Sequence, residues 1–112
     1  MPIKRIQDDP PKQVQDRFFR TTLHTDHLMT AICDFTEGPW NEPMPDHSHP
    51  HEQVSYVAEG EIIFYCEGEP DQMLSAGDLF AVSPGIRHTI KLVSKRARLI
   101  DNFHPVREDF LE

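Results

Sequence analysis

The chain is poor in several of the residues that usually decide a function class. It has two cysteines, Cys33 and Cys66, in 112 residues. That is too few, and too far apart, for a disulfide scaffold or a cysteine-based zinc motif, and two reduced core thiols are expected. Positive charge is in deficit: 11 Lys and Arg against 19 Asp and Glu give a formal net charge of −8. Such a balance disfavours nucleic acid and anionic membranes as partners, and an anionic ligand would need a local positive centre. No apolar run approaches the length of a membrane-spanning helix, no signal-peptide core follows Met1, and a cytoplasmic location is the default expectation. Long helices are also unexpected, because ten prolines and five glycines punctuate the chain at short intervals.

What the chain does have is histidine, and it is concentrated. His47-Ser48-His49-Pro50-His51-Glu52-Gln53 packs three imidazoles and an amide into seven residues and runs into a strand pattern at Val54-Ser55-Tyr56-Val57. Side chains alternate faces along a strand, so His47, His49, His51 and Gln53 share parity. Neutral nitrogen and oxygen donors gathered on one face suit a divalent transition metal. Further on, His88 opens a second pattern, in which His88, Ile90 and Leu92 share the apolar side while Thr89 and Lys91 face out. The two segments are read as one metal site built from two strands.

The remaining segments read as short strands with turns between them. Residues 1–16, with Pro2, Pro10 and Pro11, form an N-terminal arm lying on the domain or on a neighbouring subunit, and residues 17–112 form the domain itself. Phe18-Phe19-Arg20-Thr21-Thr22-Leu23 and Leu28–Phe35 are strands joined by a hairpin at His24–His27, whose histidines are solvated. Trp40 is read as a plug over one barrel end or, second, as a wall of the substrate pocket. Val54–Ala58 and Glu61–Cys66 read as a strand pair around Glu59-Gly60, and Asp71–Ser75 as a short edge strand. In Ala97–Phe103 one face carries Ala97, Leu99, Asp101 and Phe103. An aspartate in that apolar row is costly to bury unless it is paired or useful. It is therefore either a rim residue or a carboxylate aimed inward for proton transfer. Arg107, just beyond, is a surface arginine or a two-pronged clamp for a carboxylate. The whole indicates an antiparallel all-β sandwich or barrel.

Two spaced motifs resemble the cupin family. Counting back from Gly60 puts Gln53 at the family's usual Glu position and His47 and His49 at its His-x-His; Gly77, Ser83-Pro84-Gly85 and His88 fit the second motif. Ser83 stands where proline is usual, Asn41 where the first motif opens on glycine, and Leu92 where the second closes on asparagine. The resemblance covers residues 17–111 and implies a cupin double-stranded β-helix (jelly-roll) barrel. Histidine stretch and tail together, with Asp101-Asn102-Phe103-His104-Pro105-Val106-Arg107, resemble the small pectin-degradation cupins of the KdgF type. That resemblance implies one divalent transition metal per chain (nickel, zinc, iron, manganese or cobalt) held by His47, His49, Gln53 and His88. It also implies active-site roles for Asp101, Phe103 and Arg107, and an isomerase that opens 4,5-unsaturated uronic acids to linear keto sugars. The expected partner is a small anionic sugar, with a homodimer implied because cupin-like barrels often pair. A cupin dioxygenase, a sugar-binding module without turnover and a structural zinc site stand as alternatives. Gln53 argues against the first, since oxygenase iron generally has an anionic ligand, and against the last, since structural zinc takes Cys or His.

Overall fold

The computed structural model describes residues 2–111. Nine strands and one 3₁₀ turn account for the ordered elements: β1 (Lys12–Gln15), β2 (Phe18–His24), β3 (Met29–Phe35), β4 (Glu52–Glu59), β5 (Glu61–Cys66), β6 (Gln72–Ser75), β7 (Leu79–Val82), β8 (His88–Leu92), β9 (Ala97–His104) and the turn Glu108–Phe110. A six-stranded sheet in the order β1-β2-β3-β9-β4-β7 faces a three-stranded sheet in the order β6-β5-β8. All pairings are antiparallel. The expected all-β cupin jelly roll is the fold observed.

Alternation produces the core. On β3 every second residue, from Met29 to Phe35, is buried, and the intervening Thr30, Ile32 and Asp34 are only partly so. The register carries this across the large sheet in rows. Cys33 on β3 stands between Arg20 on β2 and Leu99 on β9. The next row runs Ala31, Asp101, Ser55, Phe80, and the next Met29, Phe103, Gln53, Val82. The inner face therefore changes from apolar to polar along the strands. Stacked rings, Phe18 on Phe35 at 4.7 Å and Phe64 on Phe80 at 4.2 Å, fill much of the space between the sheets. Trp40 is the expected plug: it is 7% exposed, meets Phe35 edge-on, and donates its indole N–H to the Thr36 carbonyl at 3.0 Å.

Two local expectations are corrected. First, β4 and β5 are not a hairpin. They lie in different sheets, and Gly60 is the corner at which the chain changes sheet. Their strand-like patterns were right, but the partners come from distant segments: β4 lies between β7 and β9, and β5 between β6 and β8. Second, the histidine stretch is not one continuous strand. β4 begins only at Glu52, because Pro45 and Pro50 lack the N–H groups a ladder needs. His47 instead makes a single antiparallel bridge with His88, its N–H donating to the His88 carbonyl at 3.1 Å and the reverse bond measuring 2.9 Å. Part of the N-terminal segment, Lys12–Gln15, adds β1 to the sheet edge with a register shift between Gln13 and Gln15.

The corner at Gly60 is sterically tight. Its φ is +83°, and a Cβ built there would stand 2.1 Å from the Arg96 carbonyl oxygen and 2.8 Å from the Ala97 Cα. Gly68 has the same φ of +83° but open space around it. Gly68→Ala should therefore cost only the left-handed backbone penalty, about 1–2 kcal/mol. Gly60→Ala should cost at least ~2 kcal/mol more, since backbone rather than a flexible side chain must move. Urea unfolding of both variants checks this; equal losses would show that the corner relaxes freely.

Candidate metal centre

The polar end of the inner face is where the histidines gather. His47 comes from the bridge before β4, His49 from the loop behind it, and His88 from the first position of β8. One ring nitrogen from each of these three lies within 4.8 Å of the other two. His49 and His88 are buried, whereas His47 faces the mouth. His51, which shares their parity in the sequence, is outside this group; its carbonyl accepts a bond from His49 Nδ1 at 3.1 Å.

The hydrogen bonds fix which nitrogens are bare. A backbone carbonyl can only accept, so His49 Nδ1 facing His51 and His88 Nδ1 facing the Ile86 carbonyl at 2.9 Å must both carry the proton. Their Nε2 atoms are then lone-pair donors toward the cavity. His88 Nε2 is buried without a hydrogen-bond partner. His49 Nε2 lies 2.9 Å from Gln53 Oε1. That contact sets two acceptors against each other, because the Gln53 amide Nε2 is turned away and donates to Ser55 Oγ at 2.9 Å. Two facing acceptors beside an orphaned nitrogen are what a cation held among them would satisfy. The residues thus fit a divalent transition metal, with Gln53 Oε1 available beside the three imidazoles. Burial holds all three histidines below their ordinary pKa, which keeps them neutral and ready to ligate.

The hydrogen-bond chain continues past Gln53. Ser55 is fully buried, and its hydroxyl donates to Asp101 Oδ1 at 2.6 Å. The Cys33 thiol reaches Asp101 Oδ2 at 3.5 Å. Asp101 therefore faces inward, as the strand pattern allows, and its residual exposure is to the cavity it lines. Burial raises its pKa above the usual carboxylate value, opposed by the bonds from Ser55 and Cys33 and by the charges of Arg107 and Arg20. Burial also pushes the Cys33 thiol well up, so it stays protonated and donates.

The cavity measures about 180 Å³ and is lined by His47, Gln53, His88, Asp101, Phe103 and Arg107 among others. That is below the ~300 Å³ at which drug-sized pockets begin, so the site suits a small molecule. Phe103 is 2% exposed and presents its ring to His49 edge-on at 5.8 Å. Arg107 has 12% of its side chain exposed and grips Asp109 with two bonds, at 3.2 and 2.8 Å. Its guanidinium lies 4.2 Å over the Phe110 ring. Six of the seven residues expected at the site line this cavity, and the seventh, His49, packs its ring against His88 and Phe103 behind it. Two contributors, Ser55 and Arg20, were not singled out by the sequence reasoning. Ser55 shares parity with Gln53, and Arg20 shares parity with Phe18; the parity argument that found Asp101 could have found both.

Comparison with known proteins agrees with this fold. Residues 37–103 match the cupin domain family. The pectin degradation protein KdgF of Dickeya dadantii (strain 3937) is 34% identical over 109 residues, which are 95% of this chain and 96% of that protein. The structure of KdgF from Halomonas sp. superposes with a TM-score of 0.83 at 28% identity, covering 93% of this chain and 94% of that one. A further solved structure, an RmlC-like cupin from Shewanella frigidimarina, gives a TM-score of 0.79 at 35% identity over 89% of this chain and 86% of its own. The chain belongs to the cupin family and, within it, to the family of the pectin degradation protein KdgF.

Protein purified without a histidine tag should bind one equivalent of a divalent transition metal, and His88→Ala should weaken that binding by at least ~100-fold through loss of a ligand. Nickel and zinc titrations by calorimetry measure it. Undiminished binding by His88→Ala would place the ion elsewhere.

Proposed function

We propose that this protein is a metal-dependent isomerase that opens 4,5-unsaturated uronic acids to linear keto-deoxyuronates in the breakdown of pectin or alginate. The observation that carries this reading is the buried Asp101 carboxyl on the cavity wall, joined through Ser55 to the Gln53 amide that meets the histidines. The family relationship supports the substrate class, since the Dickeya relative is named for pectin degradation. We take His47, His49, Gln53 and His88 as the residues that hold the ion. When bound, the ion supplies Lewis acidity, undiminished because all four ligands are neutral.

An unsaturated uronate in its ring form is an enol ether closed as a hemiacetal. In the reaction the C1–O5 bond breaks, the C1 hydroxyl loses its proton to become an aldehyde, and O5 is released as an enol oxygen on C5. Protonation of C4 then gives the C5 ketone, so the net change is the transfer of one proton from O1 to C4. Asp101 is the group we assign to delivering it. Burial raises its pKa above the ordinary carboxylate value, which favours the protonated form that a proton donor needs. Ser55 and Cys33 occupy one oxygen each and so orient the carboxyl. Phe103, packed against His49 and Phe110, keeps water from the reacting centre. Arg107, expected to clamp the substrate carboxylate, is held by Asp109 and lies over the rings of Phe103 and Phe110, so its role is to position those rings at the mouth. Two free thiols, Cys33 and Cys66, agree with a cytoplasmic setting. The exposed Val54, Tyr56 and Leu79 on the outer face agree with a homodimer. The experiment that tests the reading is loss of unsaturated-uronate absorbance in a lyase digest, with and without chelator, under air and under strict anaerobiosis. Turnover that needs oxygen would favour the dioxygenase alternative instead.

Asp101→Asn separates function from stability. The folded protein retains the Asp101 proton above about pH 3.9, where an unfolded aspartate releases it. Stability is therefore full below that value and declines as pH rises through the folded pKa. Asparagine carries no such penalty. The metal-free variant should melt at or above the wild-type temperature at pH 7, with the difference closing toward pH 4, while turnover per metal-loaded chain falls on the order of 10²–10⁴-fold. A fall of less than about threefold would make Asp101 a bystander. Gln53→Glu should keep the metal and slow turnover, because added negative charge lowers Lewis acidity and repels an anionic substrate. Steady-state kinetics that show equal or faster turnover would mean site charge is not limiting.

A further inference from the structure

The cavity has two guanidinium groups on its wall, and they are not equivalent. Arg107 is already engaged, with both prongs on the Asp109 carboxylate. Arg20, on β2, lines the same cavity and makes no ion pair or side-chain hydrogen bond among the described residues. The one carboxyl among the residues lining the cavity, Asp101, is bonded to Ser55 and Cys33 and forms no ion pair with it. The Arg20 guanidinium lies 3.6 Å over the face of Phe110 and 5.6 Å from the centre of Phe18. Stacking uses the face of the guanidinium and leaves its in-plane N–H groups free to donate. Desolvation is the largest influence on this group and lowers its pKa, as expected for a cation partly removed from water without a counterion.

We propose that Arg20 is a substrate-binding residue of this site and that its unshared guanidinium receives the carboxylate of an anionic sugar. The inference rests on the uronate reading above and deepens it by saying which positive charge selects the acid. A carboxylate arriving in the cavity finds Arg107 neutralised by Asp109 and Arg20 without a partner. Two parallel N–H···O bonds to Arg20 would offset the desolvation of both charges. Phe110, held between the two guanidiniums, fixes the plane of each. Arg20 is reached from outside as well, because it also borders the groove beside Lys4 and Lys12. An incoming anion therefore meets it at the edge of the cavity rather than at its floor.

The test compares galacturonate, a saturated uronate that cannot react, with its neutral methyl ester, by calorimetry on the metal-loaded full chain. Wild-type protein should bind the acid at least tenfold more tightly than the ester. Arg20→Gln and Arg20→Met should bring the two affinities within about threefold of each other. Arg20→Met keeps an unbranched chain to pack on Phe110, so one variant remains informative if the other fails to fold. The same variants should raise KM for unsaturated uronate by a similar factor, with kcat changed little. A preference for the acid that survives in either variant overturns the inference. So does an equal loss for acid and ester with a lower melting temperature, which would mark Arg20 as packing for the C-terminal turn, and so does a wild-type chain that binds neither compound. If the acid binds through Arg20 but unsaturated uronate is not turned over, the isomerase reading fails and this one stands.

Discussion

A protein interior tolerates polar groups only where each finds a partner, and this barrel keeps that rule everywhere on its inner face except at one end. Ser55 donates to Asp101 and the Gln53 amide donates to Ser55, while Thr89, expected to face out, is buried beside the residue 44 loop and donates to the Met44 carbonyl. The exceptions are His88 Nε2 and His51 Nδ1, which have no partner, and His49 Nε2, which faces another acceptor. An unsatisfied buried nitrogen costs roughly 1–3 kcal/mol. The fold sustains the exceptions because the surrounding core is rigid: Met29, Val57, Ile62 and Leu92 are fully buried, and the register of β3, β9 and β4 fixes every side chain near the site. The imbalance is local, and it is what gives the barrel an appetite for a cation.

The same geometry couples the proposed metal ligands to the proposed proton-transfer residue. Gln53 has one oxygen and one nitrogen to offer. Turning the nitrogen to Ser55 commits the oxygen to the histidines, and Ser55 can hold that nitrogen because its own proton goes to Asp101. A glutamate at position 53 would have no N–H for Ser55 and would place a negative charge near the buried Asp101 carboxyl. The departure from the usual cupin glutamate is thus matched to the neighbours that this chain has.

Much of this was legible before any coordinates. Period-two alternation located β2, β3, β8 and β9, and the same parity put His88 and Asp101 inside. What alternation cannot encode is which strand pairs with which. The reading of β4 and β5 as a hairpin failed for that reason, since Gly60 is a sheet-switching corner whose contacts come from Arg96 and Ala97, far along the chain. Proline defeated the literal strand reading of residues 47–51, yet His47 and His49 still reach the cavity, because one bridge to His88 does the work of a ladder. Ser55 looked like an ordinary strand residue, and only the cross-strand neighbour Asp101 gives it meaning. Arg20 was hidden by composition: among aromatic and β-branched neighbours it reads as the polar face of a strand, and its stacking on Phe110 depends on a turn ninety residues later.

The charge of the whole chain, −8, is unfavourable for the anionic substrate proposed, and its arrangement resolves the conflict. Several acidic side chains are spent in pairs away from the cavity floor: Asp34 holds Arg98 through two bonds at 2.7 and 3.0 Å, and Asp46 holds Arg87 at 3.2 and 2.7 Å. Exposed charges farther than a Debye length, roughly 8 Å at physiological ionic strength, are largely screened from one another. Within that distance of the cavity wall the balance is different. The imidazoles are neutral, Gln53 is neutral, Asp101 is inclined by burial to keep its proton, and Arg107 cancels Asp109. Arg20 is the charge left over, in a place where low polarisability makes a single unit count for more than several at the surface. A net-negative barrel can therefore present a positive cavity wall, and under the proposed function Arg20 adds its charge to that of the ion held by the neutral ligands.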